Sequence, residues 1–215
     1  MELERLLVFM GLSAVAATAA IVARRSAKTV HRITKSVALL PLFWIVAGFD
    51  APDYPQGLIL GALLFSLLGD VILTLAVRWF VAGLWSFFVA LCLYAVAYWQ
   101  GEAFDSARIF VVALALVVAG IILRSLWPHL GRLRVPALVY SGALMAVLSG
   151  AVGRLFSDVA PLGSSIVGAL GAACFVASDT ILIRRRRQLR SAPYAAELGL
   201  YFFAQWCLAI LAWLA

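Results

Sequence analysis

Eight apolar stretches follow one another along this chain with only short charged or turn-forming connections between them: Leu3 to Ala23, Ile33 to Phe49, Gly57 to Val77, Phe80 to Trp99, Ile109 to Leu126, Val135 to Gly153, Pro161 to Ile183 and Leu198 to Ala215. A bilayer core about 30 Å thick takes roughly 20 helical residues per crossing. Lipid offers no hydrogen bonds to a backbone, so stretches of this length must be helices. Of the 215 residues 65% are hydrophobic and 13% charged, which excludes a soluble globular domain. The prediction is an all-α, polytopic transmembrane helix bundle of eight helices, one domain over residues 1–215, in the inner membrane if the source is bacterial. Glu2 and Glu4 make the leading end acidic, and Arg24-Arg25 follow the first stretch instead of preceding it. That is the reverse of a signal peptide and predicts a retained helix.

The formal net charge of +7 would suggest nucleic acid in a soluble protein, but here the basic residues sort by connection. The first, third, fifth and seventh connections carry Arg24, Arg25, Lys28, Arg32, Arg78, Arg124, Arg132, Arg134, Arg184, Arg185, Arg186, Arg187 and Arg190. The other side has Arg5, Arg108 and Arg154. The positive-inside rule then puts the odd connections in the cytoplasm and both termini outside, with Arg184 to Arg187 read mainly as a topology signal. No nucleic-acid partner is expected.

Against this apolar background two carboxylates stand out, Asp70 in FSLLGDVIL and Asp179 in FVASDTIL. A charge in hydrocarbon costs several kcal/mol, so such residues face the bundle interior and mark a site. The topology puts them about seven and four residues from the cytoplasmic end, roughly 11 and 6 Å deep. Lys35, Tyr140, Ser141, Tyr201 and Gln205 fall at similar depth on other helices, which predicts a polar layer drawn from five helices. Each has an ordinary alternative: Lys35 can snorkel, the tyrosines can sit at the interface, and Gln205 can bond between helices. Trp79, Trp85, Trp99, Trp127 and Trp213 near segment ends read as interface anchors, and Gly57 and Gly61 as a close-packing pair. GDVIL and SDTIL, with Phe87-Phe88, Cys92-Leu93 and Phe202-Phe203, Cys207-Leu208 at matching spacing, raise a parallel repeat of helices one to four in five to eight. Cys92, Cys174 and Cys207 lack metal or disulfide spacing and read as small hydrophobes. His31 and His129, both placed in connections, offer neither a zinc motif nor a Ser-His-Asp triad.

The order of these pieces resembles the YhhN-like lysoplasmalogenase family of eight-helix membrane proteins. The resemblance runs through Lys35, LLFSLLGDVIL around Asp70, Phe87 to Tyr94, VPALVYSGALM from Val135 to Met145, GAACFVASDTIL around Asp179, and YFFAQWCL from Tyr201 to Leu208. Members carry a His three residues before the Tyr of helix four and a Pro after the Lys of helix two; here Leu91 and Ser36 stand there, and Arg184 to Arg187 follow the second Asp where members have an Arg-Phe or similar pair.

The resemblance implies hydrolysis of the vinyl ether of a lysoplasmalogen to a fatty aldehyde and glycerophosphoethanolamine or glycerophosphocholine. That chemistry needs a proton delivered to the β-carbon and a negative group for the oxocarbenium ion that follows, roles two carboxyls in low dielectric can divide as they do in glycosidases. Asp70 and Asp179 are the expected catalytic pair, with Asp179 expected to be the ionised member and the closer of the two to Lys35. Lys35, Tyr140, Tyr201, Gln205, Ser178 and Tyr94 form the expected substrate-binding set, Lys35 meeting the phosphate. No metal or organic cofactor is required, and the partner is a membrane lysophospholipid. The competing readings are a proton- or cation-coupled transporter, which broken helices would favour, and a non-catalytic lysolipid-binding protein.

Overall fold

The structure, a computed structural model, describes residues 2–26, 28–47, 54–75, 77–102, 104–158, 160–189 and 192–214. The side chains of Glu2, Arg25, Lys28, Arg190 and Trp213, used in the charge and anchor arguments above, lie outside the described residues. Among the described residues there are nine α-helices and no strand: α1 (Glu2–Ser26), α2 (Lys28–Val37), α3 (Leu40–Ala47), α4 (Tyr54–Leu75), α5 (Phe80–Trp99), α6 (Ser106–Leu130), α7 (Arg134–Gly153), α8 (Leu162–Arg186) and α9 (Tyr194–Leu214). Six stretches are long and apolar enough to cross a membrane, one of them, Ser106–Phe156, holding both α6 and α7. Leu7, Val15, Val22, Phe110, Leu116 and Ile121 are each at least 59% exposed on the outside of the bundle. In water that surface would be untenable; in lipid it is the expected coat, so this is an all-helical, multi-pass membrane protein.

The second stretch departs from the expected single helix over Ile33 to Phe49. It starts earlier, at Lys28, and breaks between Val37 and Leu40. Pro41 explains the break, because it has no N–H to give to the carbonyl four residues back and its ring would clash there. The break leaves no orphan at Ala38, whose carbonyl accepts a 2.5 Å bond from Ser13 Oγ, while Ser13 accepts from Trp206 Nε1 at 2.8 Å. The earlier start puts His31 and Arg32 on α2, and His129 lies in the last turn of α6, so neither histidine sits in a connection. On α2, His31, Arg32 and Lys35 recur at helical spacing and face a cavity, while Val30, Ile33 and Val37 are exposed outward. The last helix also begins early, at Tyr194 instead of Leu198, which brings Glu197 into its first turn.

Glycines set the closest approaches. A Cβ at Gly69 would lie 2.6 Å from the Phe87 ring, one at Gly83 2.6 Å from Leu73 Cδ2, and one at Gly171 2.7 Å from Cys207 Cβ. Gly69 and Gly83 thus let α4 and α5 interlock next to Asp70, and Gly171 does the same for α8 and α9. Gly61 packs against Leu93, whereas Gly57 meets nothing within 4 Å, so only one glycine of the expected pair serves helix packing.

The end of the bundle holding Arg108 and Arg154 closes on a buried charge cluster. Glu102 pairs with Arg108 and, at 3.4 Å, with Arg154 Nε. Arg154 also donates to the carbonyls of Tyr98 and Ala97 at 3.1 and 3.0 Å, capping the last turn of α5. Trp99, expected as an interface anchor, donates its indole N–H to the Ala146 carbonyl of α7 at 2.9 Å. At the other end, Arg187 caps α6 through the Leu130 carbonyl at 2.5 Å and Arg186 lies over the Phe80 ring, so the basic connections share one end of the bundle.

Candidate active site at the basic end of the bundle

Lys35, Asp70 and Tyr201 form one cluster. α2 packs on α4, which brings Lys35 Nζ 2.8 Å from Asp70 Oδ1. The other oxygen, Oδ2, accepts the Tyr201 hydroxyl from α9 at 2.8 Å. Asp70 is fully buried. Both its oxygens are engaged, one by a cation, as an ionised carboxylate requires away from water. The Lys35 ammonium also lies 5.6 Å from the Tyr201 ring centre.

Asp179 has a different environment. Its Oδ2 accepts the Tyr140 hydroxyl of α7 at 2.5 Å, and the residue is only half-buried. Lys35, expected nearer Asp179, is on Asp70 instead. The reason is helix order: α2 lies against α4, and α8 is held by α7 and α9.

Three cavities meet around these groups. An apolar cleft of about 70 Å³ is floored by α7 and flanked by Leu84 and Phe87 of α5 and Ile122 and Leu123 of α6; Asp179 and Tyr140 lie in its wall. A polar vestibule of about 430 Å³ holds Arg24, His31, Arg32, Lys35, Arg185, Arg186 and Glu197. Between them a chamber of about 30 Å³ is lined by Lys35, Asp70, Ser178, Asp179, Glu197 and Tyr201. Asp179 is therefore common to cleft and chamber, and Lys35 to chamber and vestibule. Six basic or imidazole groups against one carboxylate make the vestibule suited to an anion such as a phosphate diester.

The remaining expected residues occupy supporting positions. Tyr94 donates to Gln205 Oε1 at 2.9 Å, both fully buried one turn beyond Tyr201, and neither lines the three cavities. Ser178 Oγ donates to the Glu197 carbonyl at 3.0 Å, tying α8 to α9 while lining the chamber. Leu91, where the family His was expected, is fully buried in the apolar core.

Several vestibule groups were missed. Glu197 Oε2 accepts from Arg185 at 3.0 Å. His31 Nδ1 faces the Ala20 carbonyl at 2.8 Å and so carries the proton, leaving Nε2 to accept the Tyr194 hydroxyl at 3.1 Å. Arg24 and Arg185 stack on the Tyr194 ring, 3.6 and 4.8 Å from its centre. One signal in the sequence pointed here: His31, Arg32 and Lys35 at helical spacing ahead of an apolar stretch.

Comparison with curated proteins and with solved structures finds no match. A family model does match, over residues 27–212, from the start of α2 into the last helix and so across every residue of the site but Arg24. The chain belongs to the YhhN family.

Proposed function

We propose that this protein is a lysoplasmalogenase-like hydrolase that cleaves the vinyl ether of a single-chain phospholipid. The observation that carries the reading is the order of the cavities: apolar cleft, Asp179, small chamber, Lys35, basic vestibule. A lipid with its tail in the cleft and its phosphate among the arginines has its glycerol linkage beside Asp179. The proposed topology has eight crossings, both termini outside and the vestibule cytoplasmic; the lipid then comes from the cytoplasmic leaflet.

In this mechanism Asp179 is the general acid, because among the described residues its bonded partner is a hydroxyl and not a cation and it looks into an apolar cleft. Tyr140 occupies one oxygen and leaves the other for the transferable proton. That proton forms the new C–H bond at the vinyl β-carbon as the π electrons shift, and the cation at the α-carbon is left beside the chamber. Asp70, kept charged by Lys35, stabilises this cation with Tyr201. Water adds to the α-carbon and gives its proton to the Asp179 carboxylate. The hemiacetal then breaks its glycerol C–O bond, the proton going to the departing oxygen. The aldehyde leaves into lipid, and the glycerophosphodiester leaves through the vestibule.

The test is incubation of purified protein with a lysoplasmalogen and with its ester analogue, reading aldehyde and fatty acid separately. Aldehyde from the first and no fatty acid from the second is the expected result; the converse makes it an esterase. The broken second stretch is the one feature that would favour a transporter. Its free carbonyl at Ala38 is taken by Ser13, however, and the break lines none of the three cavities, unlike the discontinuous helices that hold transported ions.

A further inference from the structure

A lipid headgroup has to match the charges that surround its phosphate, and in the vestibule those charges are unequal. Five permanent cations line it, Arg24, Arg32, Lys35, Arg185 and Arg186, against the carboxylate of Glu197. Lys35 is paired with Asp70, and Arg185 with Glu197. Among the described residues Arg24, Arg32 and Arg186 form no ion pair. A phosphodiester brings one negative charge to these three guanidinium groups, which leaves two in excess.

An ammonium at the end of the headgroup finds no partner in this arrangement. Glu197 Oε2 is held by Arg185 at 3.0 Å. The aromatic faces on which an ammonium can rest each carry a cation already: Tyr194 has Arg24 and Arg185, Phe80 has Arg186, and Tyr201 has Lys35. Farther out the vestibule adjoins a cavity of about 550 Å³. The two share Arg24, Arg185 and Tyr194, and among the described residues no carboxylate lines the outer one. A headgroup that runs on beyond its phosphate meets guanidinium groups again, with the Gln188 amide beside them to bond a hydroxyl.

We propose that the vestibule selects a single-chain lipid of net negative charge, such as one with a phosphoglycerol headgroup, over the zwitterionic ethanolamine and choline lipids that the family resemblance implies. The inference rests on the hydrolase reading for its consequence in turnover, but it is a statement about which headgroup binds. The discrimination has a repulsive part, the unpaired arginines against an ammonium, as well as an attractive one.

Native mass spectrometry of the intact protein, with one-chain ether lipids inert to hydrolysis, reads the preference directly. The wild type should retain the phosphoglycerol lipid about tenfold better than the phosphocholine or phosphoethanolamine lipid, a difference of about 1.4 kcal/mol. Arg24→Gln and Arg32→Gln should each narrow that ratio several-fold. Arg132→Gln, which takes the same charge from the same end but lines none of the cavities, should leave it unchanged. Equal retention of the three lipids overturns the proposal. So does a ratio that Arg132→Gln narrows as far as Arg32→Gln does, because the preference is then a general attraction of the basic surface. Glycerol phosphate without a chain should displace the phosphoglycerol lipid about a hundredfold less well than a second lipid does, since burial of the chain is lost; equal displacement overturns the lipid assignment in favour of a free phosphate ester.

Aldehyde release from the matching vinyl ether lipids keeps the headgroup apart from the reaction. A wild type that retains the phosphoglycerol lipid selectively and releases no aldehyde from any of the three overturns the hydrolase and leaves the headgroup assignment standing. One that releases aldehyde from all three with equal kcat/KM overturns the headgroup assignment and leaves the hydrolase standing.

Discussion

Removing the Asp70 charge should cost far more stability than removing that of Asp179, although the two lie in matching sequence contexts. At 2.8 Å a Lys–Asp pair in an effective dielectric near 20 is worth about 6 kcal/mol of attraction. Much of that offsets the desolvation of both ions. Deleting one partner leaves the other charge buried and uncompensated, which costs about 3–5 kcal/mol. Asp70→Asn keeps the volume and an acceptor for Tyr201 but strands Lys35, so it should lose that amount; Lys35→Met strands Asp70 and should lose about the same. The double variant strands neither, and its loss should fall at least about 2 kcal/mol short of the sum. Asp179→Asn gives up only the bond from Tyr140, about 1 kcal/mol. Reversible unfolding of the four variants and the wild type in one detergent checks this. If Asp70→Asn is as mild as Asp179→Asn, or if the Lys35 and Asp70 losses simply add, the assignment of Asp70 as the ionised member of the pair is wrong.

Other outcomes follow from single contacts. Tyr140→Phe removes the hydroxyl bonded to Asp179 and should lower kcat about tenfold, a change of about 1.4 kcal/mol, with KM little moved in initial-rate assays. Arg32→Ala takes a cation from the vestibule and should raise KM several-fold while sparing kcat; the wild-type KM should also rise with salt, as screening weakens phosphate attraction. Glu102→Gln breaks the buried cluster with Arg108 and Arg154 at the far end and should cost about 3 kcal/mol in detergent unfolding, with activity per folded molecule unchanged.

The helices were legible in the sequence because a membrane leaves a chain so few alternatives, and Asp70 and Asp179 because a carboxylate in an apolar run is costly. Which polar residue meets which was not legible. Lys35 could reach either carboxylate on depth alone; only the packing of α2 against α4 sends it to Asp70. Pro41 could have warned that the second stretch would break, since its missing N–H is a local fact. Glu197 escaped because charge was taken to mark the edge of an apolar stretch, whereas α9 begins four residues earlier and turns that charge inward toward Arg185. The arginines after Asp179 read as a topology signal by their number, yet Arg185, Arg186 and Arg187 each have a defined partner that only the fold reveals.

Proton transfer from Asp179 to carbon is the centre of the account, and running the reaction in heavy water tests it most directly. Aldehyde trapped at once by reduction and read by mass spectrometry should carry one deuterium on the carbon next to the former carbonyl, formed at a rate several-fold slower than in light water and lost in Asp179→Asn. Aldehyde without that deuterium, or formed undiminished by Asp179→Asn, would contradict it.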